Sequence, residues 1–352
     1  MISSLVILFC CPAAPSVAAT VQEITKQIAN LPPAQRKKAV EEGARKEGQI
    51  VFYTSISVQD NPQLIAAFEK AYPFVKTAVY RGTPTSIFLK ASTEARAGSN
   101  LVDVIGTAPV EMWQLKQSKL SGPYLSPELQ GMPKGSYDPQ GHWAAFEVTP
   151  IVVAYNTKLL KPADVPKSYQ ELLSPKYKGK MNLGTEEYDW FSVMLDKMGK
   201  DKGVAYMKAL AQQDLQMPGP SSRMRVQLML AGESAIALAA RGRRVTDFKE
   251  QGAPIDFRIF DPYAGEPNSV AVMARAPHPY AAMLFSDWIL SQEGQVALAQ
   301  IPRLSIRKGI KQKGRLQELF EKDFAFVDPA SYGANVKGLI DQFNQIFGIR
   351  AQ

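Results

Sequence analysis

The sequence contains few of the residues that most often carry catalysis or bind metals. Among its 352 residues there are two cysteines and two histidines. Cys10 and Cys11 both lie in an apolar N-terminal segment, so disulfides, thiol catalysis and cysteine metal sites are excluded for the rest of the chain. His142, in a polar turn, and His278, between two prolines, are predicted to be structural. The phosphate-binding, zinc-protease, serine-hydrolase and dinucleotide motifs are absent, which argues against the commonest enzyme classes.

The N-terminal segment lacks charged residues. Residues 1–19 have an apolar stretch from Leu5 to Cys11, followed by prolines and by small residues at positions 16–19. This pattern predicts a secretory signal peptide over residues 1–19, although no Lys or Arg precedes the apolar stretch. The stretch is too short to span a bilayer, and Phe9 stands where lipid attachment to the next residue would require a small side chain. We therefore expect export; the alternative is a frayed apolar tail.

Charge of one sign is not concentrated in any segment. The formal net charge is +8, but basic and acidic residues are interleaved, as in "RKKAVEEGARKEG" (36–48). A mixed-charge helix face of this kind is typical of exposed surface and not of a nucleic-acid-binding arm. We expect no nucleic-acid partner. The excess positive charge indicates solubility and a mild attraction for anions.

Strand and helix patterns alternate along the first third of the chain. "QIVFYTS", "VKTAVY" and "LVDVIGT" are predicted strands, and the helices between them begin at Asn61–Pro62 and in "RGTPTS". This alternation predicts a parallel sheet covered by helices. Farther along, "EVTPIVVAYNT" (147–157) is a β-prone run that we expect to break at Pro150. "YQELLSPKYKGKMNL" is predicted to form a helix, a turn and a strand.

The middle of the chain has a second α/β pattern, and the end returns to apolar helices. Helices are predicted in "VAYMKALAQQ" and "RMRVQLMLAGE", and strands in "SAIALAA" and "GAPIDFRIF". Pro279 is expected to begin an apolar helix, and Ser291 to cap the next one. This order predicts an α/β fold of two lobes joined by chain crossovers. The ligand site is then expected in the crevice outside the strand ends.

Hydroxyl side chains recur where predicted strands end or helices begin. A helix N-terminus offers free N–H donors and partial positive charge, so several such ends around one cleft would bind a carboxylate or phosphate. Any one of these turns alone is better explained by helix capping, but their repetition favours binding. The candidate ligand-binding hydroxyls are Thr54, Ser55, Ser57, Thr83, Thr85, Ser86, Thr107 and Ser222.

Three arginines follow the predicted strand "SAIALAA", in "AARGRR" (239–244). At the cleft end of a buried strand, a guanidinium can hold an anion with two parallel hydrogen bonds. Arg241 and Arg243 are therefore candidate ligand contacts. The alternative is a solvated loop, and a shift of one residue in strand register would turn Arg241 away from the cleft.

Three carboxylates cluster in "EEYD" (186–189), and they would allow acid–base catalysis in an exported enzyme. Carboxylates clustered in a loop are usually solvated, so we expect that the chain is not an enzyme. In the overlapping "YDW", Tyr188 or Trp190 would cover an apolar or planar part of a ligand. The alternative is that Trp190 packs its helix into the second lobe.

Several segments resemble one family of binding proteins. "EEGARKEGQIVFYTS", "AYNTK", "LAGESAIALAA", "KEQGAPIDF" and, most specifically, "APHPYAAMLFSDWILSQEGQ" are similar to periplasmic solute-binding proteins of ABC importers. The group is the one usually labelled ferric-iron transport, which also includes binders of phosphorylated sugars, aminophosphonates, thiamine and polyamines. The resemblance runs from about residue 35 to 350. It implies a type II two-lobed fold that closes on its ligand by hinge bending.

The resemblance also implies how the chain is divided and what it contacts. Lobe 1 is expected to comprise residues 35–147 and about 268–300, with lobe 2, residues 148–267, inserted between them. Residues 301–352 are expected to form C-terminal helices that pack on the lobes. The implied partners are a small-molecule ligand and an ABC permease in the inner membrane. We expect a periplasmic monomer without a cofactor.

The ferric-iron binders of this family use tyrosine phenolates, because a hard, highly charged cation favours charged oxygen ligands. Their neighbouring tyrosines are expected just before a segment like "RVTDFKEQGAPI". This chain has Ala239–Ala240–Arg241–Gly242–Arg243 there, which inverts the charge of the site and favours a small organic or phosphorylated anion over a bound metal. Two alternatives stay open: ferric iron held with a synergistic anion by tyrosines such as Tyr53, Tyr188 or Tyr263, and an exported enzyme that uses "EEYD".

Overall fold

The structure is a computed structural model that describes residues 20–58, 60–301, 303–320 and 322–349. The segment for which a signal peptide is predicted lies outside the described residues. Within them, no helix is both long and apolar enough to cross a membrane. The described chain begins with two helices, α1 (Val21–Ile28) and α2 (Pro33–Glu47).

The first lobe is built on a parallel sheet, which confirms the expected strand–helix alternation. Its elements, in chain order, are β1 (Gln49–Thr54), α3 (Asn61–Ala71), β2 (Lys76–Arg81), α4 (Pro84–Arg96), β3 (Val104–Thr107) and α5 (Pro109–Gln117). β1 lies between β2 and β3 and pairs with both in parallel. The three helices each have a proline in the first turn, where a missing N–H costs nothing.

Two long strands, β4 (Ala144–Asn156) and β8 (Ala264–Val272), connect the lobes and are called the hinge strands here. β8 pairs antiparallel with β3 and with the first half of β4. From Ile151 onward, β4 pairs with strands of the second lobe. The predicted break at Pro150 is wrong, because the strand runs through it. Pro150, opposite Gly265, is the last residue paired with β8, so its missing N–H falls where the ladder changes partner.

The second lobe continues the sheet from the far half of β4. Its strands are β5 (Met181–Asn182), β6 (Ile236–Arg241) and β7 (Ile255–Arg258). β6 and β7 pair antiparallel with β4, and β5 pairs parallel with β6. Its helices are α6 (Tyr188–Met198), α7 (Lys200–Ala211), α8 (Ser222–Ala231) and α9 (Gly242–Glu250). The expected lobe boundaries at 147/148 and 267/268 remain predictions.

One expected helix of this lobe is replaced by shorter turns. The segment after Tyr169 forms two 3₁₀ helices, Gln170–Leu173 and Pro175–Tyr177, because Pro175 cannot extend the turn before it. Two further 3₁₀ helices are Pro127–Gly131 and Pro162–Asp164.

The C-terminal part packs on both lobes. α10 (Pro279–Leu290) and α11 (Gln292–Gln300) are separated by Ser291, whose hydroxyl accepts a hydrogen bond from the N–H of Gly294 at 3.2 Å, which confirms the predicted cap. A 3₁₀ helix (Gly314–Phe320) leads to β9 (Ala325–Phe326) and α12 (Pro329–Phe347). This segment was expected to be helical only. Instead, β9 adds a strand parallel to β8, and α12 contacts α5 and α6.

Candidate functional site

One face of the hinge strands forms the floor of a cleft. Thr149 of β4 lies opposite Glu266 of β8 in the antiparallel ladder, and residues paired in this way project to the same face. Both side chains line a pocket of about 410 Å³, called the cleft pocket here. The rest of its lining comes from the second lobe: Pro220, Ser221, Ser222, Arg223, Arg241, Arg243 and Arg244.

A β-bulge sets the direction of Arg241. In the ladder between β4 and β6, Ala154 pairs with Ala237 but Val152 pairs with Ala240, so β6 contains one extra residue. Ala239, inside the bulge, has φ of 47°, a left-handed conformation that is uncommon for a residue with a Cβ. The register that the sequence left open is therefore fixed by this bulge, and Arg241 lies on the cleft side.

Two helices begin at the cleft pocket. α8 begins after Ser221, whose hydroxyl accepts a hydrogen bond from the N–H of Met224 at 3.3 Å. α9 begins at Gly242, directly after β6. Ser222 Oγ accepts a hydrogen bond from the N–H of Arg241 at 3.0 Å, which ties the two helix starts together. Free N–H groups and the helix dipoles favour an anion at such a place.

Arg241 is held by carboxylates on two sides. Its Nη1 lies 2.8 Å from Glu187 Oε2, and its Nε lies 3.2 Å from Glu266 Oε2. Burial alone would lower the pKa of Arg241, but Glu187, Glu266 and Asp189 together hold it above its usual range. The guanidinium therefore stays charged and has a fixed orientation. Its Nη2 has no ion pair with the described residues, so this is the nitrogen left for a ligand.

The expectation that the "EEYD" carboxylates are solvated is wrong for two of the three. Glu187 is buried and forms ion pairs with both Arg241 and the fully buried Arg225. Asp189 is half-buried; burial raises its pKa to about 7, and the neighbouring Glu266 carboxylate adds to the rise. Only Glu186 is exposed. Glu187 positions Arg241 of the cleft pocket, and no sequence motif linked these two distant residues.

Arg243 reaches from the second lobe to the first. Its Nη1 lies 3.5 Å from Asp60 Oδ2, at the start of α3. Asp60 also contacts Arg303, at 2.9 Å, and Arg303 contacts Glu147 of the hinge strand β4 at 2.5 Å. Burial would raise the pKa of Asp60, but the Ser57 hydroxyl and the two arginines lower it below its usual value. This chain of ion pairs crosses the cleft.

The other two arginines of the cleft pocket are more exposed. Arg244 lies 3.4 Å from Asp247 within α9, and Arg223 lies over the ring of Phe248, 6.0 Å from its centroid. Neither reaches a carboxylate across the cleft in the described residues. The pocket lining therefore has four arginines and one carboxylate, Glu266, which makes its surface positive.

Four of the predicted hydroxyl side chains form hydrogen bonds within the first lobe. Thr83 caps α4 by accepting from the N–H of Ser86 at 3.3 Å, and Ser86 Oγ donates to the Thr83 carbonyl oxygen at 2.9 Å. Thr85 Oγ1 donates to Glu111 at 3.3 Å. Ser57 Oγ donates to Asp60 at 2.7 Å. The contacts of Thr83 and Ser86 agree with the capping interpretation, whereas Thr85 links α4 to α5. All of these hydroxyls are engaged within the first lobe.

The remaining predicted hydroxyls differ in their surroundings. Thr54 is fully buried, and its Oγ1 accepts from the N–H of Ile56 at 3.1 Å. Ser55 is half-buried, and its N–H donates to the Gly106 carbonyl oxygen at 3.0 Å. Thr107 is fully buried, and its Oγ1 has no hydrogen-bond partner among the described residues. Of the predicted hydroxyls, Ser222 is the one that lines the cleft pocket.

The two predicted aromatic residues lie on α6 and pack inside the protein. Trp190 is buried in the second-lobe core, and its Nε1 donates to the Tyr169 hydroxyl at 3.3 Å. Its burial agrees with the packing alternative and not with contact to a ligand. Tyr188 is half-buried with its ring edge-on to Phe343, 5.3 Å between centroids.

The three tyrosines named for the iron alternative are engaged in different places. Tyr53 donates to Glu94 at 3.0 Å, and Tyr263 donates to the Leu319 carbonyl oxygen at 2.9 Å. Burial raises the pKa values of Tyr53 and Tyr188, which works against phenolate formation. Among the residues that the structure describes, no cluster of three or more histidines, cysteines or carboxylates is arranged to hold a metal ion.

Comparisons with known proteins agree on fold and family. The chain is 23% identical over 237 residues to the Fe(3+)-binding periplasmic protein of Serratia marcescens, covering 62% of this chain and 70% of that protein. A Trichodesmium protein (IdiA, FutA) solved with iron and citrate superposes with a TM-score of 0.75 at 18% identity, covering 85% of this chain and 99% of that one. AfuA from Actinobacillus pleuropneumoniae, solved with fructose-6-phosphate, gives 0.66 at 23% identity, covering 86% and 100%.

The likeness to these structures establishes the two-lobed α/β fold of periplasmic binding proteins, which the sequence predicted. Residues 63–326 match the family described as bacterial extracellular solute-binding protein. This match covers most of both lobes, including the hinge strands and the cleft pocket. The chain therefore belongs to the bacterial extracellular solute-binding protein family, whose members supply the solute-binding component of ABC transporters.

Proposed function

We propose that this protein captures a small anionic solute outside the cytoplasm and delivers it to an ABC permease in the membrane. The solute carries a carboxylate, phosphate or phosphonate group, and the lobes close on it by bending at the hinge strands. The observation that carries the proposal is the lining of the cleft pocket. Four arginines and two helix N-termini face one carboxylate there.

The arginines have different roles in this proposal. Arg241 is fixed by Glu187 and Glu266, so it presents one remaining nitrogen in a defined direction. Arg243 is held less tightly than Arg241, since its contact with Asp60 is long, at 3.5 Å. Its buried Nε has no hydrogen-bond partner among the described residues. Because a buried unpaired donor is costly, an anion that accepts from Arg243 Nε gains more than one bound at an exposed arginine.

In this proposal the site binds the solute and does not catalyse a reaction. The protein acts as a monomer and without a cofactor. Glu187 is buried, and each of its carboxylate oxygens pairs with an arginine, so it is engaged inside the protein and is not open to a substrate. Asp189 faces Glu266 and Tyr332 instead of the open cleft pocket. These contacts favour a structural role for the carboxylates that an enzyme would have used.

Ferric iron is the second candidate solute. The names of the Serratia and Trichodesmium relatives favour it, the latter having been solved with both iron and citrate. In this chain the arginines of the cleft pocket would repel bare ferric iron. The pocket would therefore bind the metal only together with an anion that contacts the arginines. The contacts of Tyr53 and Tyr263 away from the pocket count against direct phenolate binding.

Thermal unfolding of residues 20–352 tests the proposal. The ligands are phosphate, phosphorylated sugars, phosphonates, small carboxylates, polyamines, and ferric iron with carbonate or citrate. A ligand present at 100 times its Kd stabilises the folded protein by about 2.7 kcal/mol, which shifts the unfolding temperature measurably. We expect an anion to give this shift.

Two variants locate the binding site. Arg243→Ala removes a charged hydrogen-bond donor and is expected to weaken the anion about tenfold or more. Arg315→Ala is the matched control, because Arg315 is exposed and pairs with Glu318 outside the cleft pocket. Stabilisation by ferric iron alone, unchanged in Arg243→Ala, would replace the anion proposal with the iron alternative.

A further inference from the structure

A second cavity lies behind the hinge strands, on the side opposite the cleft pocket. Its volume is about 850 Å³, compared with about 410 Å³ for the cleft pocket. Side chains alternate along a strand, so the Glu266 side chain faces the cleft and the neighbouring Gly265 position faces away from it. A Cβ at Gly265 would lie 3.1 Å from Phe324, which lines the second cavity. We call this space the rear cavity.

The rear cavity joins segments that belong to different parts of the fold. Arg307, on one wall, donates to the Leu290 carbonyl oxygen at 2.9 Å and to the Glu128 carbonyl oxygen at 3.0 Å, which fixes that wall to α10 and the first lobe. Phe326, on the other wall, lies in β9 and pairs with Gly265 of the hinge strand β8. A molecule in the cavity therefore contacts both the segment that is fixed to the first lobe and the strand that pairs with β8.

One part of the rear cavity is apolar. Phe320, Phe324 and Phe326 line it as a row, with centroid separations of 5.5 Å and 6.0 Å. All three are half-buried, so their rings are partly exposed to the cavity. Ile306 and Ile310, both buried, complete this surface. Half-exposed aromatic rings grouped in a concave site are typical of small-molecule binding.

The rim of the rear cavity is positive. Lys134, Lys308 and Lys311 are exposed, and none of them forms an ion pair within the part of the chain that the structure describes. Lys322 and Arg307 also line the cavity but already contact Asp261 and Glu128, at 3.0 Å and 3.2 Å. Against these five cations the described lining has a single carboxylate, Asp323.

We propose that the rear cavity is a second ligand site, which binds a free anionic amphiphile: one carboxylate, sulfonate or phosphate head on an apolar body. The apolar body packs on the three phenylalanine rings, and the head contacts the unpaired lysines at the rim. A small inorganic anion would leave the rings exposed, and an uncharged apolar molecule would leave the lysines without a partner. This site is independent of the solute that the cleft pocket binds.

Calorimetric titration of the protein (residues 20–352) with decanoate, below its micellar concentration, tests the proposal. We expect saturable binding of one decanoate. The double variant Lys308→Glu, Lys311→Glu reverses two rim charges and is expected to weaken binding about tenfold, because each exposed charge contact contributes only modestly. Both residues are exposed, so the variant is expected to fold normally.

The matched control is Lys200→Glu, Lys202→Glu, which changes net charge equally at exposed positions of α7 away from the cavity. It should bind decanoate like the unaltered protein. Equal binding of decyltrimethylammonium would overturn the proposal in favour of an unspecific apolar surface. Binding of inorganic phosphate as tight as that of decanoate would overturn it in favour of a small-anion site. Binding only to vesicles that contain phosphatidylglycerol, with no binding of free decanoate, would also overturn it.

Discussion

At the scale of single residues, the cleft pocket depends on a carboxylate that no ligand needs to touch. Glu187 lies between Arg225, which is fully buried, and Arg241, which lines the pocket. Arg225 Nη1 also donates to the Leu238 carbonyl oxygen at 2.7 Å, which holds the guanidinium against β6. Two positive charges this close are stable only because one buried negative charge lies between them.

We predict that Glu187→Gln strongly destabilises the fold. Removing one partner of a buried ion pair leaves an uncompensated charge on Arg225, which typically costs about 3–5 kcal/mol of unfolding free energy. Urea unfolding measures the change. The control is Glu186→Gln, the exposed neighbour, which should change stability by less than about 0.5 kcal/mol. Equal stability of the two variants would mean that the buried pair contributes little.

The sequence predicted some residues of the cleft pocket but not the carboxylates that hold them. Arg241, Arg243 and Ser222 were predicted as ligand contacts because each follows a strand or begins a helix, and all three line the cleft pocket. Their partners Glu187 and Glu266 were not, since they approach Arg241 from other elements through the tertiary fold. Local patterns therefore found three residues of the pocket lining, but they also suggested seven hydroxyls that lie elsewhere, and they do not show which distant charges meet in the cleft.

At the scale of elements, the junction between β6 and α9 leaves little room for a side chain at Gly242. The strand ends at Arg241 and the helix begins at Gly242 without a loop. A Cβ at Gly242 would lie 2.8 Å from Leu319 Cδ2 and 3.2 Å from the Pro150 carbonyl oxygen. The close approach lets the N-terminus of α9 lie beside the hinge strand, where the cleft pocket is.

We predict that Gly242→Ala destabilises the protein by about 1–3 kcal/mol, the usual cost of overpacking. It should also weaken anion binding, because relief of the contact moves the start of α9 away from the pocket. The double variant Gly242→Ala, Leu319→Ala makes room for the new methyl group, so its cost should be smaller than the sum of the two single costs. Strict additivity in urea unfolding would show that Leu319 does not restrict this position.

Helices and strands were predicted well where the local sequence pattern determines the secondary structure. β1, β2 and β3 and the helices between them follow from apolar periodicity and from proline in the first turn of each helix. The continuity of β4 through Pro150 was missed, because it depends on the ladder changing partner there. β9, two residues long, was missed because it exists only through pairing with β8.

At the scale of the whole molecule, charge links the two lobes across the cleft. Asp60 of the first lobe lies between Arg243 of the second lobe and Arg303 beside the hinge strand. With the lobes together, these two arginines are close to each other, and Asp60 compensates both. A solute anion in the same cleft would add to this compensation, which is how binding would favour the closed arrangement.

We predict that Asp60→Asn opens the unliganded protein. Without the carboxylate, the closed arrangement brings Arg243 and Arg303 together uncompensated, so the equilibrium shifts towards separated lobes. Small-angle scattering should show a larger radius of gyration than for the unaltered protein, and saturation with the bound anion should reduce it again. Asp247→Asn is the matched control, because Asp247 pairs with Arg244 inside α9 and not across the cleft. An unchanged radius in Asp60→Asn would show that hinge packing, and not this ion-pair chain, sets the resting position of the lobes.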